Sequence, residues 1–229
     1  MTVLYLDASG VFPGTNRPWE AIPVVKFIDM LVHFNWANHQ RMERFVAPLG
    51  TCLHWSGGTY GQVHSGYMFN IIYNPVTRKA AVVKLLDWRE KQAHLWGRNS
   101  NIVGITMCSM ANPGMPPAPE QITLAALLNA EICAWKRIDP RGRIDVPELR
   151  SDYNATKIEA TGNRIKVPAC WDHAGYAMRD GYGRFRWDCR LKVNPPQETT
   201  VYDIYYAQTL KFYDELKAGR KFEFIALLS

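Results

Sequence analysis

The sequence predicts a mixed α/β or α+β domain, and three observations carry that expectation. Short runs rich in aromatic and β-branched residues stand at 67–73, 80–86 and 102–108. Longer segments with helical spacing of apolar residues stand at 24–46, 120–137 and 200–218. Strands interleaved with helices pack as layers of sheet and helix. The third observation is size: 229 residues, 47% hydrophobic, suit one globular domain with additions.

In chain order, residues 1–6 alternate weakly and predict a strand, and 10–18 form a loop rich in Gly, Pro and Asn. Pro23 suits the first turn of a helix over 24–46, in which Val24, Phe27, Ile28, Leu31 and Phe34, then Met42, Phe45 and Val46, share a face. Pro48 and Gly50 stop it. Residues 51–53 predict a short buried strand that delivers His54 at its end. A glycine-rich loop over 57–66 follows, then a hairpin of strands 67–73 and 80–86 turning at Asn74-Pro75. Residues 102–108 read as another buried strand, and the proline-rich 112–119 as an exposed loop. The helix over 120–137 places Leu124, Leu128, Ile132 and Trp135 on one side. Residues 139–162 are polar and show no assignable period; 165–167 suit a short strand. After Pro195-Pro196, a helix over 200–218 carries the stripe Val201, Ile204, Tyr205, Phe212 and Leu216, with Gly219 as the residue after its end. Residues 222–228 predict a strand or a docked tail. The expected organisation is a helical extension over 1–50, a central domain over 51–193, and a C-terminal helix and tail over 194–229.

Net charge is +6 and the pI near 9.1. A basic surface favours acidic partners: nucleic acid, anionic lipid or an anionic wall polymer. No basic run reads as a nucleic-acid arm, and no phosphate loop or zinc-finger spacing occurs, so no nucleic-acid partner is expected. The basic end formed by Lys211, Lys217, Arg220 and Lys221 leaves room for weak contact with an anionic membrane or wall polymer. Five scattered cysteines without a Cys-x-x-Cys pair suit a reducing compartment. The start has no basic region and carries Asp7 in its apolar run, which makes a poor secretory signal, and 22–34 is too short and too charged to span a bilayer. The expectation is a protein made in the cytoplasm.

Chemistry concentrates in 169–192. This stretch holds His173, the loop signal Asp180-Gly181-Tyr182-Gly183, and Asp188 with Arg186 two places before it. A histidine and a carboxylate flanking a loop can converge on one metal when a second histidine arrives from elsewhere. His54, at a strand end opening into a glycine-rich loop, is the candidate. Catalytic zinc takes three protein ligands and keeps a fourth position open. Taken singly, His54 also reads as a buried histidine bonded to backbone, and His173 and Asp188 as a surface loop with a salt bridge.

Three features occur in order: His54 after a short apolar run, Trp96-Gly97-Arg98-Asn99-Ser100-Asn101 running into Ile102-Val103-Gly104-Ile105, and His173 followed by Arg186-Trp187-Asp188. In this the chain resembles the type 2 N-acetylmuramoyl-L-alanine amidases, zinc enzymes that include phage lysozyme-type amidases and peptidoglycan recognition proteins. The resemblance spans about residues 51–193. It implies a mixed central sheet with helices on both sides, Zn²⁺ as cofactor, peptidoglycan as substrate, and His54, His173 and Asp188 as ligands. Cys189 competes as third ligand, since thiolate suits zinc; choosing it would put Trp187 where the family has a basic residue. Arg186 takes that basic position, where members often carry Lys, and would stabilise negative charge developing on the scissile oxygen. Tyr67 matches a tyrosine that some members place close to the metal; packed in a strand, it reads nearly as well as core. Other members carry Glu where this chain has Thr106, so the base is open between Tyr67, Asp188 in part, and water activated by zinc alone. His94, Asn99 and Trp96 fall on the segment that lines the substrate groove, and Trp96 also suits core filling. With no secretory signal, the resemblance implies a bacteriolytic phage or prophage endolysin acting on the cell wall after release; a delivered antibacterial effector is the other route. The rival readings are a non-catalytic peptidoglycan-binding module and a zinc peptidase cutting within the stem peptide.

Overall fold

The structure is a computed structural model that describes residues 2–5, 19–29, 48–88, 92–95, 97–109, 115–151, 158–181, 189–190 and 199–227. Its centre is a mixed sheet. Four strands run parallel in the order β4 (Phe69–Asn74), β6 (Ile102–Met107), β3 (Gly50–Trp55) and β9 (Cys170–Asp172). Strand β5 (Lys79–Lys84) joins β4 antiparallel through the expected hairpin. Beyond β5 the sheet continues antiparallel with β1 (Thr2–Tyr5), β10 (Glu223–Leu227) and β2 (Trp19–Pro23). The stretches that the sequence sets apart as N- and C-terminal additions thus supply three strands of the same sheet. Of the helix expected over 24–46, the described part is α1 (Val24–Asp29); the rest of that segment lies outside the described residues.

Strand alternation divides the sheet into two faces. Leu53, Val103, Ile105 and Met107 point to a core shared with α2 (Pro119–Lys136), α1 and α4 (Val201–Lys217). Helix α2 is buried on nearly all sides, from Ile122 through Cys133. The sequence expectation of one apolar stripe there understates its burial, because α4 covers the side turned away from the sheet. Cys52 and Ile102 point to the other face, against Leu95, Val146, Val167 and Tyr176. That face is covered by α3 (His173–Asp180) and by a long antiparallel hairpin of β7 (Arg143–Ser151) and β8 (Ile158–Pro168). The hairpin occupies the polar stretch that shows no period in the sequence. Among the described residues no helix is long and apolar enough to cross a membrane.

Candidate functional site

His54 is the fifth residue of β3 and shares a face with Cys52; both are fully buried. Across the parallel ladder, Cys52 pairs with Gly104 and His54 with Thr106. The missing side chain at Gly104 is what admits His94. A Cβ there would lie 2.7 Å from the His94 ring, inside any tolerable contact. The loop that brings His94 down is held by Asn99, whose Oδ1 accepts from His94 N at 3.0 Å and Leu95 N at 2.7 Å. Gln92 closes the same corner, its Oε1 accepting from Gly104 N at 2.6 Å.

The tautomers follow from partners. His94 Nε2 lies 2.9 Å from the Ile102 carbonyl, which only accepts, so Nε2 carries the proton. Burial first, and then neighbouring His54, hold the His94 imidazole well below its ordinary pKa, while the Ile102 bond opposes them. In the neutral ring Nδ1 is an acceptor. It lies 2.9 Å from His54 Nε2, which therefore donates. The network thus assigns the His54 lone pair to Nδ1.

Two more rings close on His54. His173 opens α3, and its ring centre lies 4.6 Å from that of His54. Tyr67 lies 4.9 Å from His54 and 5.9 Å from His94, ring centre to ring centre. Tyr67 sits just before β4, and Asn70 pins its approach: Nδ2 donates to the Tyr67 and His64 carbonyls, and Oδ1 accepts from His64 N at 2.8 Å. Helix α3 starts where Asp172 caps the Gly175 amide at 3.0 Å. Gly175 itself is required because the Trp171 indole lies against it; a Cβ would come within 2.1 Å of that ring.

The donor chemistry fits zinc. Two imidazoles on one tetrahedral zinc place their ring centres about 5 Å apart, and His54 and His173 meet that spacing. Beside them, the ligand atoms of Cys52, His54 and His94 all lie within 4.8 Å of one another, in a buried group that could hold a metal ion. Thr106, next to His54 in the ladder, is fully buried, and its hydroxyl has no hydrogen-bond partner among the described residues.

Of the residues singled out in the sequence, the fold brings His54, His173, Tyr67 and His94 together. Both ring nitrogens of His94 are engaged inside the protein, and Asn99 is occupied in shaping the His94 loop. Arg186, Asp188 and Trp96 lie outside the described residues. Cys189 is fully buried in the core on the α2 side, its carbonyl accepting from Tyr202 N at 2.7 Å. Sequence reasoning passed over Cys52, Asp172 and Arg190. Cys52 was recoverable, since period two from His54 puts it on the same face. Arg190 forms a two-pronged bond to Asp172, Nε to Oδ2 at 2.8 Å and Nη2 to Oδ1 at 3.1 Å. Only the fold brings that pair together.

No protein-family model and no curated protein matches the sequence. Among solved structures, the chain is similar to the crystal structure of Staphylococcus aureus hydrolase AmiA in complex with its ligand. The TM-score is 0.45 and the identity 10%, over 80% of this chain and 82% of that one.

Proposed function

We propose that the protein is a zinc-dependent peptidoglycan hydrolase that cleaves the amide between N-acetylmuramic acid and L-alanine. The observation that carries the reading is the convergence of His54, Tyr67 and His173, from three separate stretches of chain, with ring centres within 4.9 Å of His54. These are residues that the amidase resemblance assigns to the metal and to proton handling.

His54 and His173 would hold the ion, with Asp188 as third ligand. Burial of Cys189 on the opposite core supports the carboxylate over the thiolate. Zinc, when bound, would polarise the scissile carbonyl and lower the pKa of a water molecule. His94 fixes the His54 ring by accepting a hydrogen bond from its Nε2–H and stays neutral in doing so; such outer partners orient a ligand and tune its basicity. Tyr67 is half-buried beside both rings and takes the role of orienting water or passing a proton to the leaving amine. Arg186 supplies a fixed cation for charge developing on the carbonyl oxygen. Thr106 occupies the position where a carboxylate base would stand and cannot act as one. In biology the reading fits a phage or prophage endolysin.

The experiment is digestion of purified sacculi with wild type and His173→Ala, with bound zinc measured on the same samples. Wild type should release free stem peptides with an L-alanine N-terminus, as read by mass spectrometry, and a chelator should stop it. In His173→Ala both zinc and release should fall together. Release of fragments cut within the peptide would move the reading to a zinc peptidase, and absence of both bound zinc and release to a wall-binding module.

One observation favours a second reading, in which zinc is structural. Cys52, His54 and His94 are all buried, and closed sites are the rule for structural zinc. Cys52→Ser separates the two: it should abolish zinc binding in the structural case and leave it intact in the catalytic one. The Cys52 thiol already has a backbone acceptor, Leu53 O at 3.8 Å, which suits the catalytic case.

A further inference from the structure

Helix α3, which carries His173, is gripped at both ends by two-pronged ion pairs. At its start Asp172 meets Arg190. At its end Asp180 Oδ2 accepts from Arg98 Nε at 3.0 Å and Oδ1 from Arg98 Nη2 at 2.7 Å. The second pair is almost sealed from solvent, with side-chain exposures of 2% for Arg98 and 0% for Asp180. Attraction inside such a pair barely repays the loss of hydration, and apolar residues of similar size often serve stability as well. Its placement points to a different job.

Arg98 stands in the loop that carries His94. Its amide donates to Leu95 O at 3.0 Å, and its neighbour Asn99 holds the His94 and Leu95 amides. Its remaining arm, Nη1, donates to Pro147 O on β7 at 3.0 Å, and the guanidinium lies 5.6 Å from the Tyr176 ring centre on α3. A planar fork with fixed donor directions therefore joins the His94 loop, α3 and the β7–β8 hairpin at one point. His94 and His173 in turn both meet His54, at ring-centre distances of 5.0 and 4.6 Å.

We infer that Arg98 is a positioning residue, which through Asp180 sets α3 against the His94 loop and so holds His173 beside His54. Arg98 acts at a distance: α3 is eight residues long, and at about 1.5 Å rise per residue its two ends are roughly 10 Å apart. Where the functional consequence is concerned, this rests on the reading in which His54 and His173 share a metal.

The test uses two variants of the full chain. Arg98→Met/Asp180→Leu removes both charges and leaves neither buried alone; Arg98→Lys keeps the charge and loses the fork. Three quantities are read: melting temperature, Zn²⁺ affinity by competition with a chelating dye, and the cross-relaxation between His54 and His173 ring protons in metal-free protein by NMR. The double variant should melt within a few degrees of wild type, bind Zn²⁺ about 10–100-fold more weakly, and lose the His54–His173 signal. Arg98→Lys should shift both site readouts in the same direction by less. A folded double variant with wild-type affinity and an undiminished ring signal overturns the inference. If the double variant does not fold, Arg98→Lys decides by the same two readouts. If wild type itself binds no Zn²⁺, the metal reading falls, and the ring signal alone then decides: its loss in the variants supports the positioning role and its retention refutes it.

Discussion

Gly104→Ala is the sharpest probe of the site, because Gly104 is itself neither a proposed ligand nor a substrate contact. The added Cβ would stand 2.7, 2.8 and 2.9 Å from Cγ, Cδ2 and Nδ1 of His94. Ordinary carbon contacts begin near 3.4 Å, so the ring must move by about 0.7 Å or the strand must bend. The ring has no slack, since it is held at 2.9 Å on one side by Ile102 O and at 2.9 Å on the other by His54. A displacement of that size stretches at least one of these bonds to about 3.6 Å, beyond hydrogen-bonding range. Overpacking of a close-packed interior costs about 1–3 kcal/mol. Losing a bond to a buried imidazole adds about 1–3 kcal/mol more. The sum, about 2–6 kcal/mol, corresponds to roughly 4–24 °C in melting temperature for a domain of this size. Gly61→Ala is the control: no described residue lies within 4 Å of the point its methyl would occupy, and it should be neutral or gain about 0.4–1 kcal/mol. Thermal unfolding of both, with Zn²⁺ affinity beside it, checks the reasoning. A Gly104→Ala protein as stable as the control and with undiminished Zn²⁺ affinity would refute the claim that the His94 ring is seated on that glycine.

Other variants probe the same geometry. Tyr67→Phe should keep zinc and lower the rate of peptide release by about 10²–10⁴-fold if Tyr67 moves a proton, read on sacculi against measured zinc content. Arg190→Ala should weaken Zn²⁺ binding about 10–100-fold, because it leaves Asp172, the cap of the His173 helix, buried without its cation; isothermal titration reads this. Burial pushes the Glu131 carboxyl in α2 up to about 7. A carboxyl raised in the folded state binds more protons there than when unfolded, so stability should fall as pH rises from about 4.5 to 7 and level off above. Glu131→Gln should remove that slope and gain at most about 3 kcal/mol at pH 8 with no gain at pH 4, measured by urea unfolding at both.

What could be read from the sequence was what local rules govern. The parallel core strands β3 and β6 are buried on both faces, and buried parallel strands are near-continuous apolar runs. His54 stands out as the polar residue at the end of such a run, whereas His173 is singled out only by the amidase resemblance, and the fold sets its ring centre 4.6 Å from that of His54. The β7–β8 hairpin was hidden for the opposite reason. Its outer face is polar and held by cross-strand pairs such as Arg164 with Asp145 at 3.1 Å and Thr161 with Glu148 at 2.8 Å, so alternation is blurred by residues that also mark loops. The membership of β1, β2 and β10 in the sheet is a matter of pairing between chain ends, which no local period encodes.

The site follows the same division. Residues that would touch the metal carry donor chemistry and announce themselves one by one. Residues that hold those donors in place do so through partners remote in the chain: Arg98 and Asp180 are 82 positions apart, and Asp172 and Arg190 are 18. An arginine in a loop and an aspartate near a helix end read singly as solvated charges, and only their burial together reveals a joint. The first set carries the chemistry that the proposed reading calls for, and the second says why two imidazoles, one from β3 and one from α3, stand close together. A variant that keeps every donor and loses Arg98 would therefore separate the two contributions, which substitution of His54 or His173 cannot do.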